Sequence, residues 1–278
     1  MSDKRSALRL VSLISGKGGV GKSILAFNLA ERLAASGYRI LLIDGDLAFP
    51  NLHILANAAP LGGIAEYADG RLGLTEATTT LNDNLSLLAG VATTDIFNDQ
   101  TPSLNSELLA QVQREAETFD LAICDLPSGT SGEAAGLVAR SDLAMIVLIP
   151  ELTSISDAFG LYKMLNAKGL SSKAQLLVNG AKDRLEVDYI QDKFRLIADK
   201  FIGSSPDLIG WIPADQAIRR SLGAQRPVAV HEPDSDAAQA IEALARRLAE
   251  RLGRGAEDDR TNQSPKTKDS LAKADIGD

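Results

Sequence analysis

The eight residues Gly16-Lys17-Gly18-Gly19-Val20-Gly21-Lys22-Ser23 restrict the fold more than any other stretch of the chain. They fit the pattern G-x-x-x-x-G-K-[ST], with a second lysine directly after the first glycine. The glycines allow a tight turn at φ values that a side chain would forbid. The freed N–H groups can then converge on phosphate oxygens, and a helix that follows adds its positive N-terminal end. Such a loop needs a strand before it and a helix after it. Leu10-Val11-Ser12-Leu13-Ile14 reads as a strand apolar on both faces. From Ile24 to Ala35, Leu25, Leu29 and Leu33 recur at i, i+4 spacing along one helical stripe.

The same alternation runs on through the chain. Apolar strand-like runs fall at 10–15, 40–44, 85–89, 121–125, 143–149, 174–179 and 208–211. Most are continuous Val/Ile/Leu stretches, as in a parallel sheet covered on both faces. Helical patterns lie between them, at roughly 21–36, 106–117, 132–140, 156–168, 187–201, 215–222 and 236–252. The βαβα order predicts an α/β fold: a doubly wound, mostly parallel sheet with its ligand at the carboxyl ends of the strands. The phosphate loop, Asp44, Asp125 and Asn179 all fall at such ends. With 278 residues and 45% hydrophobic content, the chain supports one large domain, expected over residues 1–253. Beyond Gly253 the composition turns to Asp, Lys, Ser and Thr, and residues 254–278 are expected to form a disordered polar tail.

Several classes are disfavoured. A single cysteine, Cys124, permits no intrachain disulfide and suits a reducing compartment. His53 and His231 are isolated, so no zinc pattern forms. No apolar run reaches the ~18 residues of a membrane span, and no secretory pattern precedes the first strand. A cytoplasmic location is the expectation. The net charge of −8 opposes sequence-independent nucleic-acid binding by the whole surface. The adjacent pairs Arg219-Arg220 and Arg246-Arg247 fit solvated helix faces better than a nucleic-acid site.

Acidic residues complete a site around the loop. Ile40-Leu41-Leu42-Ile43-Asp44-Gly45-Asp46 ends one strand with carboxylates at i and i+2, and Leu121 to Asp125 ends another with one. A carboxylate at a strand end beside a phosphate loop commonly holds Mg²⁺, often through water, and Asp125 is the natural candidate. Asp44 and Asp46 lie where a loop can sense a γ-phosphate and hold an attacking water. Lys22 should reach the β- and γ-phosphates, and the Ser23 hydroxyl should ligate the metal. Singly, each aspartate would read as a turn or cap residue. Three at strand ends beside a phosphate loop read as a hydrolytic centre.

The loop, followed by Asp44-Gly45-Asp46-Leu47-Ala48-Phe49-Pro50-Asn51-Leu52, resembles the deviant Walker A ATPases of the MinD/ParA family. Asn51-Leu52-His53-Ile54-Leu55 and Pro150-Glu151-Leu152-Thr153-Ser154-Ile155-Ser156-Asp157-Ala158 are similar to the branch of flagellar-number regulators (FlhG, also FleN or YlxH). The likeness spans residues 8–252. It implies that Lys17 is a signature lysine crossing a dimer interface to the partner's phosphates, alongside Gly16, Gly18, Gly19, Val20, Gly21, Lys22, Ser23 and Ile24 around the nucleotide. It makes Asp46 the switch I residue that positions water, with a place at the metal, and Asp44 its companion. Asp125 becomes the Walker B aspartate, ahead of switch II at Leu126-Pro127-Ser128-Gly129. Asn179 would hydrogen-bond adenine, and the backbone of Ile212-Pro213-Ala214-Asp215 would flank the base. Ile24 departs from the polar residue usual after GK[ST]. Ser128 and its neighbours depart from the T-G-A-G-I-S of the flagellar branch.

The resemblance implies ATP and Mg²⁺, an ATP-dependent homodimer, slow hydrolysis stimulated by a protein partner, and control of the number or placement of flagella or another structure. The alternative is a DNA-partitioning ATPase of the ParA type, which the acidic balance opposes. The last helix carries Ile241, Leu244, Leu248 and Leu252 on one stripe. That stripe reads as core-packing, with no clear membrane-targeting helix and membrane contact the lesser option.

Overall fold

The structure is a computed structural model that describes residues 8–90, 104–130 and 132–261, with side chains as far as Gly253. In chain order the elements are β1 (Arg9–Ile14), α1 (Lys22–Ala35), β2 (Ile40–Asp44), α2 (Leu52–Leu55), α3 (Ile64–Ala68), α4 (Leu74–Ala77), β3 (Thr78–Asn82), β4 (Leu85–Leu88), α5 (Ser106–Glu115) and β5 (Leu121–Asp125). There follow α6 (Gly132–Arg140), β6 (Leu143–Leu148), α7 (Leu152–Ala167), a 3₁₀ turn (Ser171–Lys173), β7 (Ala174–Ala181), α8 (Arg184–Phe201), β8 (Asp207–Pro213), α9 (Gln216–Gly223), α10 (Val228–His231) and α11 (Asp236–Thr261).

The strands form one eight-stranded sheet in the order β3-β4-β2-β5-β1-β6-β7-β8. Every pairing is parallel except β3 with β4. The continuous apolar runs now have a physical reason. Successive side chains on a strand point to opposite faces, and both faces are covered. On β1, Leu10 and Ile14 join one core while Val11 and Leu13 join the other. On β2, Leu41 and Ile43 face the first core and Ile40 and Leu42 the second. The first core is closed by α5, α6, α7 and α8, through residues such as Val112, Leu137, Leu161 and Phe194. The second is closed by α1 and α11, with Leu25, Leu29 and Leu33 from one and Ile241, Leu244 and Leu248 from the other. Leu252 packs on its edge. The stripes expected on these two helices are thus core stripes.

Four differences from the expected elements stand out. The edge strand β3 is absent from the apolar pattern because Thr78-Thr79-Thr80 is polar and partly exposed. It pairs by hairpin geometry instead, around Asp83-Asn84, with Asn82 opposite Leu85. Short helices α2, α3, α4 and α10 have too few turns to show a period. Helix α7 starts at Leu152 rather than 156, because the hydroxyl of Ser154 accepts the Ile149 N–H and turns the chain early. Finally, the backbone of α11 continues past Gly253 to Thr261, through part of the segment expected to be disordered. Ala256 and Glu257 are strong helix formers there. The rest of the expected tail, 262–278, lies outside the described residues.

Parallel strands deliver their carboxyl ends to one edge of the sheet, so the chain segments after β1, β2, β5, β7 and β8 meet there. One carboxylate organises part of that edge. Asp215, the N-cap of α9, accepts the Ala217 N–H at 2.8 Å and the Ala237 N–H of α11 at 3.1 Å. These hydrogen bonds hold its carboxyl below the usual range. A depressed folded pKa adds stability above the unfolded value, and that stability is lost as pH falls through the folded one. Asp215→Ala should therefore cost about 1–2 kcal/mol in urea unfolding at neutral pH, with a smaller difference from wild type in strong acid. Equal stability at both pH values would contradict the double cap.

Candidate functional site

The phosphate loop leaves β1 at Ser15 and enters α1 at Lys22. Gly19 and Gly21 sit at φ 77° and 87°, the left-handed region open to glycine. Alternating backbone of this kind makes a nest of N–H groups. No side chain caps the first turn of α1, so its donors face the loop. Gly16 is required for a different reason. A Cβ there would run into the carbonyl oxygen of Asp157 on α7. At Gly21 a Cβ would meet the side-chain nitrogen of Asn179.

Lys22 and Asp125 form an ion pair at 2.6 Å, with side chains 8% and 0% exposed. Asp125 lies directly beside Asp44 in the register of β2 and β5. Burial raises the Asp125 pKa, and the Asp46 charge adds to this, while Lys22 and Ser23 oppose it. Asp44 is pushed up to about 7, chiefly by burial and then by the Asp125 charge, against the N–H groups of Leu52 and Asn51. Both of those groups donate to Asp44 Oδ2 at 3.0 Å. Asp44 thus fixes the start of α2. Asp46 is half-buried in the intervening loop, where its Oδ1 accepts the Phe49 N–H at 3.3 Å.

Two buried carboxylate oxygens, Asp44 Oδ1 and Asp125 Oδ2, lack a hydrogen bond of normal geometry. The Ser23 hydroxyl lies close enough to Asp125 to favour its charged form. Hard oxygen donors of this kind fit Mg²⁺. Among the described residues no group of three or more acidic, His or Cys side chains could hold a metal unaided. An ion here would need phosphate or water oxygens as further ligands, as Mg²⁺ does at nucleotide sites. Ser23, Asp125 and Asp46 are therefore suited to such an ion only together with a phosphate in the loop.

Both candidate switch segments are bonded to this centre. The Gly45 N–H donates to the Asp125 carbonyl at 2.8 Å, and the Gly129 N–H to the Ser15 carbonyl at 2.8 Å. The two segments expected to hold a base are neighbours, since Asn179 on β7 and Ile212 on β8 share a register position, followed by Ala181 and Pro213. Asn179 donates its side-chain amide to the Val20 carbonyl at 2.8 Å, which ties the base region to the phosphate loop. The Asp215 carboxylate is engaged in capping, which leaves its backbone for any ligand contact. Val20 is buried and Ile24 partly so.

Lys17 lies at the surface, with its side chain 38% exposed. Its ammonium donates to Glu151 at 2.7 Å and to the Thr153 hydroxyl at 3.5 Å. Glu151 is the N-cap of α7, and Thr153 and Asp157, the latter against Gly16, lie in its first turns. Sequence reasoning singled that segment out by resemblance but gave it no place in the site. Its signal was an exposed lysine in the loop with no carboxylate near it in sequence.

Comparison with known proteins agrees with this geometry. The matching family profile, ParA, described as NUBPL iron-transfer P-loop NTPase, covers residues 7–249. Antiactivator FleN of Pseudomonas aeruginosa is 27% identical over 241 residues, covering 87% of this chain and 86% of its own length. Among solved structures, the septum site-determining protein MinD of Pyrococcus horikoshii, complexed with Mg-ADP, superposes with a TM-score of 0.73 at 23% identity, covering 88% of this chain and 98% of that one. MinD in the MinC:MinD complex of Aquifex aeolicus gives 0.67 at 25% identity, covering 87% and 96%.

The pKa of Asp44 yields a stability test. Its folded value, about 7, lies above the usual 3.8. The folded state therefore holds a proton that the unfolded state releases, and stability falls as pH rises from about 4 to 7. Asp44→Asn should remove that slope, a difference of a few kcal/mol at most. Urea unfolding of both proteins at pH 5 and pH 7.5 measures it. Parallel pH profiles would show that Asp44 is not the group responsible.

Proposed function

Since the chain belongs to the ParA/MinD family of P-loop NTPases, we propose that it is an ATPase acting as a dimerising regulatory switch, with a protein partner that reads its nucleotide state. The observation that carries this reading is the buried Lys22–Asp125 pair at 2.6 Å beside a glycine nest, with one switch segment hydrogen-bonded to the Asp125 carbonyl and the other to the Ser15 carbonyl at the start of the loop. A phosphate in the nest would draw Lys22 from Asp125. Mg²⁺, held through Ser23 and Asp125 with Asp46 nearby, would supply the positive charge that the phosphates and Asp125 then need. Asp46 orients a water whose oxygen attacks the γ-phosphorus as the bond to the ADP oxygen breaks, giving ADP and phosphate. The segments after Asp46 and Asp125 follow the γ-phosphate and change order when it leaves.

Lys17 is the dimer residue in this reading. It is exposed, so it can exchange Glu151 for the phosphates of a second subunit. Asn179 and the backbone from Pro213 to Asp215 line the base. A protein partner is in keeping with the relatives, since FleN is named an antiactivator and MinD was solved with MinC. Control of flagellar number or placement is the cellular role that the FleN likeness supports. Iron transfer, named in the family description, finds little support, because the one thiol in the sequence is fully buried on β5. No helix among the described residues is long and apolar enough to cross a membrane.

Lys17→Ala should bind ATP yet stay monomeric in light scattering, whereas the wild type with ATP doubles in mass. A normal dimer from that variant sinks the role given to Lys17. Asp46→Ala should form the dimer but lose turnover by about a hundredfold or more. Hydrolysis at the wild-type rate would show that Asp46 does not position the water.

A further inference from the structure

Among the described residues, two non-glycine residues occupy left-handed backbone, Asn57 at φ 49° and Gln225 at φ 50°. They are far apart in sequence, yet they converge on one atom. The Asn57 N–H donates to the Ile54 carbonyl at 3.2 Å, and the Gln225 side-chain nitrogen donates to the same oxygen at 2.7 Å. Asparagine tolerates this conformation well; glutamine has no such advantage, and glycine would adopt it freely. Gln225 is exposed, so its hydrogen bond adds little to folding stability. The backbone turn itself closes α9, where the Gln225 and Arg226 N–H groups donate to the Leu222 and Ser221 carbonyls, both at 3.1 Å; the Gln225 side chain reaches beyond that turn to α2.

What that bond holds is the switch region. Helix α2 has four residues, too few to persist unaided. Its first N–H groups are fixed by Asp44, and its last turn is fixed at Ile54 by Gln225. Asp46 lies on the loop leading into it. The anchor behind Gln225 is rigid. Three residues on, the Val228 N–H donates to the buried Asn28 side chain at 2.7 Å, and Asn28 donates to the Ile24 carbonyl at 2.8 Å. Asn28 and Ile24 belong to α1, the helix that springs from the phosphate loop. The chain of contacts therefore ties the far end of α2 to the same helix that carries Lys22 and Ser23.

We infer that Gln225 is a positioning residue: its side chain fixes the end of α2 relative to α1 and so sets where Asp46 stands during hydrolysis. This rests on the hydrolytic reading above. Two variants of the full chain test it. Gln225→Gly removes both the strain and the donor, and Gln225→Lys keeps a donor of similar reach. Thermal unfolding, ATP turnover and amide hydrogen exchange over residues 45–57 are measured on each.

The glycine variant should unfold at the same temperature as wild type or higher, because its backbone is relieved. Its KM should stay within about twofold while kcat falls about fivefold or more. Exchange in the window from Gly45 to Asn57 should quicken by about fivefold or more. The lysine variant should stay near wild type in both readouts. Wild-type kcat or unchanged exchange in the glycine variant overturns the inference, as does a lysine variant that falls equally far. If wild type shows no turnover, the hydrolytic reading fails separately. The tether is then decided by exchange alone, with faster exchange in the glycine variant and not in the lysine variant supporting it and any other pattern overturning it.

Discussion

A carboxylate with no exposed surface keeps its charge only beside a cation, and for Asp125 that cation is Lys22, 2.6 Å away. The sheet creates this demand. Parallel strands end together, so β2 and β5 bring Asp44 and Asp125 side by side at the same level. Two like charges cannot both persist there, and Asp44 moves toward its neutral form. Removing one member of a buried pair costs on the order of 3–5 kcal/mol because the other is left bare. An anion that takes Lys22 is therefore tolerated best when a second cation arrives with it. Under the proposed reading, phosphate and metal would bind as one coupled event through the geometry of two strand ends.

The same centre reaches outward through backbone contacts rather than long side chains. Gly45 and Gly129 place the two candidate switches on carbonyls of β5 and of the loop itself. Gly16 lets the start of α7 approach closely enough that Asp157 touches the loop, and Lys17 closes over it onto Glu151. A displacement at the loop must therefore move at least one of these segments, since interiors this closely packed do not yield smoothly.

The sheet was legible in the sequence because burial on both faces writes itself as unbroken apolar runs, as at Ile40–Asp44 and Leu121–Asp125, whose limits match the strands observed. The Gly-Lys loop was legible because its chemistry needs fixed residue types at fixed spacing. β3 was not, because three threonines at an exposed edge carry no hydrophobic signal and depend on a hairpin for pairing. The partners of Lys17 were hidden for another reason: Glu151 and Thr153 meet it only after the chain has crossed several strands, and no local pattern records that meeting. Gln225 was hidden too, since a positive φ at a glutamine has no sequence signature.

Cys124 lies on β5 next to Asp125, fully buried, and burial together with the neighbouring carboxylates pushes its thiol well above the ordinary value. A thiol so placed is almost never a thiolate and cannot meet a reagent. For spectroscopy the native chain thus behaves as though it had no cysteine. A single cysteine introduced at an open position such as Leu61, 87% exposed, would carry a fluorophore or spin label alone, without any need to mutate the buried residue that precedes Asp125.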